Sequence, residues 1–244
     1  MKFFIIIQAR MTSTRLPGKV MLPLCGKTVL EVMLERLSLF QDNIIIATTN
    51  DGTQAPITQL CQQLNIKYFE GDTDNVLSRY YEAAIASGAQ EEDLIVRCTS
   101  DCPIIDPEVV SSLISFYKTN SFDYALASSG SGFPRGLNAE IFSFALLKEA
   151  FLSATKDYEK EHVTPYFYDT CKDKFKLGYL KSEIDASKYR ITLDEQDDYR
   201  VIQEIYDKFN CETTFNYKDL ISMLDENPYI YEINKHVEQK KLKG

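Results

Sequence analysis

Five short apolar runs alternate with amphipathic stretches across the first half of the chain, and this alternation constrains the fold more than any other feature. The runs are rich in Ile, Val and aromatic residues and predict strands at residues 3–7, 43–48, 66–70, 93–98 and 122–127. The intervening stretches carry apolar residues at helical spacing, at residues 28–40, 53–64, 74–86 and 106–118. Strand-helix alternation predicts an α/β fold, with a mostly parallel twisted sheet and helices on both faces.

The ends of the predicted helices carry recognisable signals. Asp74 and Asp106 are predicted N-caps, and Pro107 stands at the favoured first helical position. The second half predicts a strand running into a helix, a helix, a strand, a strand-loop-helix unit and a final helix, at residues 139–154, 158–171, 174–183, 189–209 and 217–227.

The chain has no internal repeat and no linker that would separate two independent domains. We therefore predict one domain over residues 1–236, followed by a polar tail at 237–244 that is expected to fray. A Gly- and Ser-bearing loop at 128–138 is a candidate flap. Residues 130–182 together are interpreted as the flap and an inserted region for the acceptor and for dimerisation.

The totals exclude several classes of function. The chain has 27 Lys and Arg against 36 Asp and Glu, a net charge of −9, which argues against general nucleic-acid binding but not against a small phosphorylated ligand. No segment approaches membrane-spanning length, and the apolar start meets Gln8 and Arg10 too soon for a secretion signal, so a cytoplasmic protein is expected.

The cysteine and histidine content argues against a zinc cluster. Six cysteines are scattered without a C-x-x-C pair, and there are only two histidines. Free thiols, buried or half-buried in a reducing compartment, are the expected state of the cysteines.

A loop rich in cations and hydroxyls follows the first predicted strand. In "IIIQARMTSTRLPGKVML", the residues Arg10, Arg15 and Lys19 stand together with Ser13 and Gly18. One interpretation is an ordinary solvated surface loop, and the other is a cradle for a polyanion. The spacing matches neither a P-loop nor G-x-G-x-x-G, so the loop alone does not decide between them.

Two aspartates follow predicted strands and could bind a metal. Asp101 lies in "TSDCP" and Asp194 in "ITLDEQDDYR". They could also be a turn former and a helix N-cap, respectively, whereas Asp197 and Asp198 are interpreted as a solvated first turn of the following helix. Because ligands bind at the carboxyl ends of parallel strands, the cationic loop and both aspartates together predict a magnesium–phosphate site. His162, on a predicted helix, fits packing or substrate contact equally.

The first loop also resembles the nucleotide-binding pattern of the sugar-acid cytidylyltransferases, approximately A-R-x-x-S-x-R-L-P-G-K. The matching residues here are Ala9, Arg10, Ser13, Arg15, Leu16, Pro17, Gly18 and Lys19. The stretches "DNVLSRYYEAA", "RCTSDCPIIDPEVV", "FPRGLNAEIFS", "EHVTPYFY" and "FKLGYL" are similar to the spore-coat polysaccharide branch of that family. The likeness extends from residue 3 to about residue 208.

The resemblance implies a nucleotidyltransferase domain related to the GT-A fold, often dimeric, with CTP as nucleotide and Mg²⁺ as cofactor. It implies that Arg10 and Lys19 hold the triphosphate and that Arg15 neutralises a phosphate or a substrate carboxylate. Asp101 and Asp194 match the family's metal-binding aspartates. With Arg10 and Lys19, Asp101 completes the expected catalytic set.

Other positions match the family more loosely. Ala9, Ser78 and Arg79 fall where the family meets the base and ribose, and Ser13 and Gly18 belong to the same nucleotide-binding set. Arg135 and His162 are the candidate acceptor contacts. The chain reads "DEQDD" where the family usually shows D-x-P-E-D, and "TSD" where the classical enzymes have a Gln-Gly-Asp sequence.

The sequence therefore predicts a Mg²⁺-dependent cytidylyltransferase that transfers CMP from CTP to a nonulosonic or octulosonic sugar acid and releases pyrophosphate, for surface polysaccharide synthesis. A homodimer that binds neither nucleic acid nor membrane is expected. The alternatives are a nucleotidyltransferase with another nucleotide or acceptor, a GT-A glycosyltransferase, and a non-catalytic nucleotide-binding module. A glycosyltransferase would usually carry D-x-D where this chain has "SDC".

Overall fold

The computed structural model describes residues 1–240. Its strands are β1 (Phe3–Gln8), β2 (Pro23–Leu24), β3 (Lys27–Thr28), β4 (Ile44–Thr49), β5 (Lys67–Gly71), β6 (Leu94–Thr99), β7 (Tyr124–Ala127), β8 (Ala139–Ser143) and β9 (Leu177–Tyr179). Its α-helices are α1 (Val29–Arg36), α2 (Ala55–Gln63), α3 (Val76–Ala86), α4 (Pro107–Thr119), α5 (Phe144–Ser153), α6 (Asp157–His162), α7 (Gln196–Lys208), α8 (Tyr217–Glu226) and α9 (Pro228–Asn234).

A seven-stranded sheet in the order β5-β4-β1-β6-β8-β7-β9 forms the centre of the fold, and β2 and β3 make a separate small hairpin. The strand β1 pairs in parallel with β4 and β6, whereas β8 runs antiparallel to both of its neighbours. Ile5, Ile6 and Ile7 are all fully buried because helices cover both faces of the sheet. The predicted α/β class is confirmed, as is each of the five strands predicted in the first half.

The register of the central strands brings two chemically important loops together. Gln8 at the end of β1 pairs with Thr99 at the end of β6. The cationic loop after β1 and the "TSDCP" turn after β6 therefore leave the sheet side by side, at its carboxyl edge. Asp106, just beyond this turn, is the N-cap of α4 as predicted and accepts a hydrogen bond from the Glu108 amide at 2.7 Å.

Several sequence-based boundaries are wrong. The N-cap of α3 is Asn75 instead of Asp74, because the Asn75 side chain accepts from the Ser78 amide at 3.0 Å. The strand predicted at the start of residues 189–209 is a single bridge between Arg135 and Arg190. Helix α9 follows the predicted final helix after the break at Asn227. Residues 130–182 contribute β8 and β9 to the main sheet, and their role in dimerisation stays a prediction.

The expectation that all cysteines are free is also wrong. Cys25, in the turn between β2 and β3, forms a disulfide with Cys211, just after α7. Cys61, Cys98 and Cys102 are buried free thiols, and Cys171 is a half-buried one. The sequence could not reveal the pair because its two members lie 186 residues apart, with no local motif around either.

Gly136 fixes the backbone beside the cavity described below. Its φ of +119° lies in a region that disfavours side chains, and an added Cβ would lie 2.7 Å from the Ile191 carbonyl group. We expect Gly136→Ala to lower the free energy of unfolding by about 2–4 kcal/mol, since backbone strain and overlap add. The measurement is urea denaturation of the purified variant.

Gly88→Ala is the matched control for this prediction. Gly88 also has a positive φ, +80°, but an added Cβ would have no neighbour within 4 Å. Gly88→Ala should therefore lower the free energy of unfolding only by the strain contribution, about 1 kcal/mol. Equal losses in the two variants would show that the approach to Ile191 is unimportant.

Candidate active site

A cavity of about 340 Å³ opens at the carboxyl edge of the sheet. Among the residues that the structure describes, seven Lys and Arg side chains and four Asp and Glu side chains line it: Arg10, Arg15, Lys19, Arg79, Arg97, Arg135 and Lys240, and Asp101, Glu140, Glu161 and Asp194. A chain with a net charge of −9 thus concentrates cations in one place. Such a lining suits a polyanionic ligand.

The cationic loop folds back on itself to present its side chains to this cavity. The amides of Ser13 and Gly18 donate to the Met11 carbonyl oxygen at 3.1 and 2.8 Å. Gly18 has a φ of +67°, which only glycine adopts without strain, and a short 3-10 turn begins directly after it at Lys19. The turn therefore aims the Lys19 side chain inward while Arg10 and Ser13 also line the cavity.

Lys19 lies between the two aspartates that the sequence proposes as metal ligands. Its Nζ donates to Asp101 Oδ2 and Asp194 Oδ1, each at 3.0 Å, and to the Leu193 carbonyl oxygen at 2.6 Å. Burial lowers the pKa of Lys19, but the two carboxylates outweigh it and the net pKa lies above its usual value. The ammonium is therefore charged, and three oxygens converge on one cation.

Asp101 is held rigidly by its neighbours. Thr99 Oγ1 donates to Asp101 Oδ1 at 2.6 Å, and the Leu193 amide donates to the Asp101 carbonyl oxygen at 2.7 Å. Burial raises the pKa of Asp101, but Lys19 and the Thr99 hydrogen bond outweigh that effect. The net pKa lies below its usual value, so the carboxylate is ionised. The neighbouring Cys102 thiol has its pKa raised by burial and by Asp101, which keeps it protonated and a poor nucleophile.

Asp194 is placed by two arginines. Arg15 Nη2 lies 3.1 Å and Arg190 Nη2 lies 3.0 Å from Asp194 Oδ2. Arg190 also contacts both oxygens of Asp198, at 2.8 and 3.0 Å. Asp198 in turn accepts from the backbone amides of Asp194 and Glu195, each at 3.0 Å. Arg190 and Asp198 thus fix the turn that presents Asp194 to Lys19.

The interpretation of Asp198 as a solvated residue is wrong, because it is fully buried. Asp197 is the half-exposed member of the pair and contacts Arg200 at 3.2 Å. Asp194 is not the N-cap of α7, which is Glu195. Sequence reasoning also missed Arg190; the four-residue spacing of Arg190, Asp194 and Asp198 was the signal that could have revealed this network.

Three arginines at the cavity have no side-chain partner within residues 1–240. Arg10 and Arg135 line it and form no hydrogen bond or ion pair through their side chains within residues 1–240. Arg79 is only 1% exposed, and its Nε and Nη1 have no hydrogen-bond partner in the same part of the chain. Burial lowers the pKa of Arg79, and repulsion from Arg10 adds to the effect. An unpaired buried guanidinium such as that of Arg79 is costly, so it indicates an anionic ligand.

A second network lies on β6 and β8. Arg97 Nη1 donates to Glu140 Oε2 at 2.5 Å, and Arg97 Nη2 donates to Gln8 Oε1 at 3.1 Å. Glu140 Oε1 accepts from the hydroxyls of Tyr124 and Thr164 at 2.7 and 3.0 Å. Glu140 thus balances the charge of Arg97. Sequence reasoning assigned no role to Glu140, since its partners come from separate elements.

His162 completes the cavity from the end of α6. Burial lowers the pKa of His162, and the charges of Arg97, Lys240 and Arg10 lower it further, against the opposing effect of Glu161. His162 is therefore neutral near pH 7 and can donate or accept a hydrogen bond with a ligand.

The structure brings most of the proposed nucleotide-binding residues together. Ala9 lies at the cavity directly after β1. Ser78 does not line it: the Ser78 hydroxyl donates to the Asn75 carbonyl oxygen at 2.9 Å, within the first turn of α3. Gly18 shapes the loop without lining the cavity. A contact between Ser78 and the nucleotide stays a prediction.

The donor atoms at the cavity fit a hard cation that shares its shell with phosphates. Asp101 and Asp194 supply carboxylate oxygens, and the oxygens around Lys19 already coordinate a positive charge. No group of three or more His, Cys, Asp or Glu with metal-binding geometry occurs in residues 1–240. Two carboxylates suit magnesium, which keeps waters and substrate phosphates as its other ligands.

The family model for cytidylyltransferases matches residues 4–241. This chain belongs to that family. It is therefore a nucleotidyltransferase, and the family likeness of the sequence is confirmed. None of the helices within residues 1–240 of this cytidylyltransferase has the length and apolar character that crossing a membrane requires.

Individual relatives agree with this assignment. The spore coat polysaccharide biosynthesis protein SpsF of Bacillus subtilis is 31% identical over 232 residues, 91% of this chain and 94% of SpsF. A cytidylyltransferase structure from Leptospira borgpetersenii has a TM-score of 0.89 and 33% identity, covering 99% of this chain and all of that one. An 8-amino-3,8-dideoxy-manno-octulosonate cytidylyltransferase of Shewanella frigidimarina is 28% identical over 132 residues, 53% of each chain.

Proposed function

We propose that this cytidylyltransferase uses Mg²⁺ to transfer CMP from CTP to a sugar acid, with release of pyrophosphate. The observation that carries the proposal is the position of the Lys19 ammonium between the carboxylates of Asp101 and Asp194. This position supports a shared site in which the cationic loop and both acids contact one triphosphate. The proposed product is a CMP-sugar for a surface polysaccharide, as the name of the SpsF relative suggests.

Asp101 and Asp194 would hold the metal, which when bound lowers the pKa of the acceptor hydroxyl and polarises the α-phosphate. Arg10, Arg15 and Lys19 supply positive charge for the triphosphate, and their effect is largest as negative charge moves onto the leaving group. The supports around both aspartates, Thr99 at Asp101 and Arg190 at Asp194, hold the two carboxylates in place before substrate arrives.

The transfer takes place in one displacement. The acceptor oxygen forms a bond to the α-phosphorus, the bond from that phosphorus to the bridging oxygen of pyrophosphate breaks, and the hydroxyl proton passes to water. Cys102, the thiol beside Asp101, stays protonated and forms no covalent intermediate. The proposed attacking group is the anomeric hydroxyl of a 2-keto-3-deoxy sugar acid.

Three observations support an acidic acceptor. Arg135 lines the cavity and has no side-chain partner within residues 1–240, and His162, which lines the same cavity, is neutral near pH 7 and can hydrogen-bond. The Shewanella relative is named for an octulosonate.

We further propose the cytoplasm as the compartment, because CTP is an intracellular metabolite.

A matrix of nucleotides and acceptors tests the proposal. CTP, UTP, GTP and ATP are each incubated with octulosonic acids, nonulosonic acids, neutral sugars and sugar phosphates, with Mg²⁺ or with EDTA. We expect pyrophosphate and a CMP-sugar, detected by mass spectrometry, only with CTP, a sugar acid and Mg²⁺. Comparable turnover with UTP or GTP would contradict the choice of nucleotide. Consumption of a nucleotide-sugar without pyrophosphate would indicate a glycosyltransferase instead.

A further inference from the structure

The chain after α9 continues to the cavity instead of leaving the domain. Within this C-terminal segment (residues 236–240), Gln239 and Lys240 line the same cavity as Asp101 and Asp194. The sequence predicts a fraying tail from residue 237, but these two residues contact the site. Residues 241–244 of that tail lie outside the described residues.

Specific hydrogen bonds fix the end of α9 and the segment that follows it. Asn234, at the end of α9, is 2% exposed, and its Nδ2 donates to Asp198 Oδ1 at 2.9 Å and to the Arg190 carbonyl oxygen at 3.0 Å. Further along, Arg190 Nη1 donates to Gln239 Oε1 at 2.9 Å. Arg190 also fixes Asp194, so one guanidinium links the segment to the proposed metal ligand.

The segment brings an unpaired charge to the cavity. Lys240 forms no ion pair within residues 1–240, whereas Arg97, which also faces His162, is balanced by Glu140. Lys240 and His162 line the same cavity, and the charge of Lys240, after burial and Arg97, is one of the causes that lower the pKa of His162 against the effect of Glu161. An unpaired ammonium and a neutral imidazole in one cavity suit an anionic group that also accepts a hydrogen bond.

We propose that residues 236–240 form a wall of the acceptor site and that Lys240 binds the carboxylate of the acceptor. This inference rests on the proposed function. The loop after β1 already supplies Arg10, Arg15 and Lys19 for the triphosphate, so Lys240 is assigned to the other substrate. Lys240 thereby favours acidic sugars over neutral ones.

Steady-state kinetics of Lys240 variants test the assignment. With CTP saturating and 3-deoxy-manno-octulosonic acid or a nonulosonic acid varied, Lys240→Gln should raise the acceptor KM about tenfold, the loss of one charge-assisted contact. The CTP KM and the Tm should stay unchanged, and Lys240→Arg should restore most of the affinity. Lys235→Gln is the matched control, since Lys235 pairs with Glu232 outside the cavity. An unchanged acceptor KM, or an equal rise in the CTP KM, would overturn the assignment.

Titration of His162 by NMR tests the wall without any turnover. The chain has two histidines, so its spectrum contains few imidazole signals. The signal that disappears in a His236→Gln variant belongs to His236, and the remaining one to His162. Lys240→Gln should raise the pKa of His162, whereas Lys235→Gln should leave it in place. An unchanged His162 pKa in Lys240→Gln would overturn the proposal that residues 236–240 form a wall of this cavity. Wild-type protein that releases no pyrophosphate with any substrate pair would instead count against the proposed function, whatever His162 does.

Discussion

Replacing Asp101 with asparagine is expected to lower kcat for pyrophosphate release by about 100- to 1,000-fold. Asparagine preserves the shape of the side chain and can still accept from Thr99, but it removes the charge that faces Lys19. A carboxylate oxygen is also a much stronger ligand for Mg²⁺ than an amide oxygen. The measurement is kcat at saturating CTP and acceptor.

Folding of this variant is checked independently of activity. Lys19 keeps its contacts with Asp194 and the Leu193 carbonyl oxygen, so the domain should unfold cooperatively and with near-normal secondary structure by circular dichroism. Asp207→Asn is the control, since Asp207 lies near the end of α7 outside the cavity. It should retain wild-type kcat. A kcat close to wild type in Asp101→Asn would rule out the proposed role of that carboxylate.

Replacing Lys19 with glutamine is expected to have two opposite effects. The kcat should fall about 100-fold, because a cation that stabilises the leaving pyrophosphate is lost. Without nucleotide, however, the affinity for Mn²⁺, used as a paramagnetic substitute for Mg²⁺, should rise about tenfold or more, because no internal ammonium then competes for Asp101 and Asp194. Electron paramagnetic resonance of free Mn²⁺ measures this affinity without turnover.

Thermal unfolding supplies a second measurement of the same effect. In Lys19→Gln, Asp101 loses the cation it faces and Asp194 keeps only its contacts with Arg15 and Arg190, which should lower the Tm in EDTA. Added Mg²⁺ should restore more stability in the variant than in the wild type. Lys27→Gln is the control, since Lys27 pairs with Glu35 away from the cavity. Unchanged Mn²⁺ binding in Lys19→Gln would show that the ammonium and the metal do not compete.

The fold follows from local patterns that a sequence displays directly. Buried strands such as β1 and β4 are continuous apolar runs, and helices such as α4 repeat their apolar residues at helical spacing. The boundaries that fail are those set by single side chains. Asn75 caps α3 instead of Asp74 because its side chain reaches the Ser78 amide. Asp and Asn are both good N-caps, so the sequence does not show which of the two adjacent residues caps the helix.

The candidate site is only partly visible in the sequence. The cationic loop and the two strand-terminal aspartates can be found because each follows an apolar strand. Their contact cannot be found this way, since Lys19 and Asp194 are separated by 175 residues. The burial of Asp198 depends on Arg190 and Asn234, and a charged helical turn looks the same in sequence whether it faces solvent or a buried arginine.

The disulfide between Cys25 and Cys211 makes most of the domain a covalent ring. A single peptide cleavage anywhere between the two cysteines would open this ring without releasing a fragment. Lys19 lies just before the ring, and Asp101 and Asp194 lie within it. The small hairpin of β2 and β3, which follows the cationic loop, would stay tethered to the end of α7. In the oxidised protein, Lys19 therefore stays attached to Asp101 and Asp194 after one cut between the two cysteines.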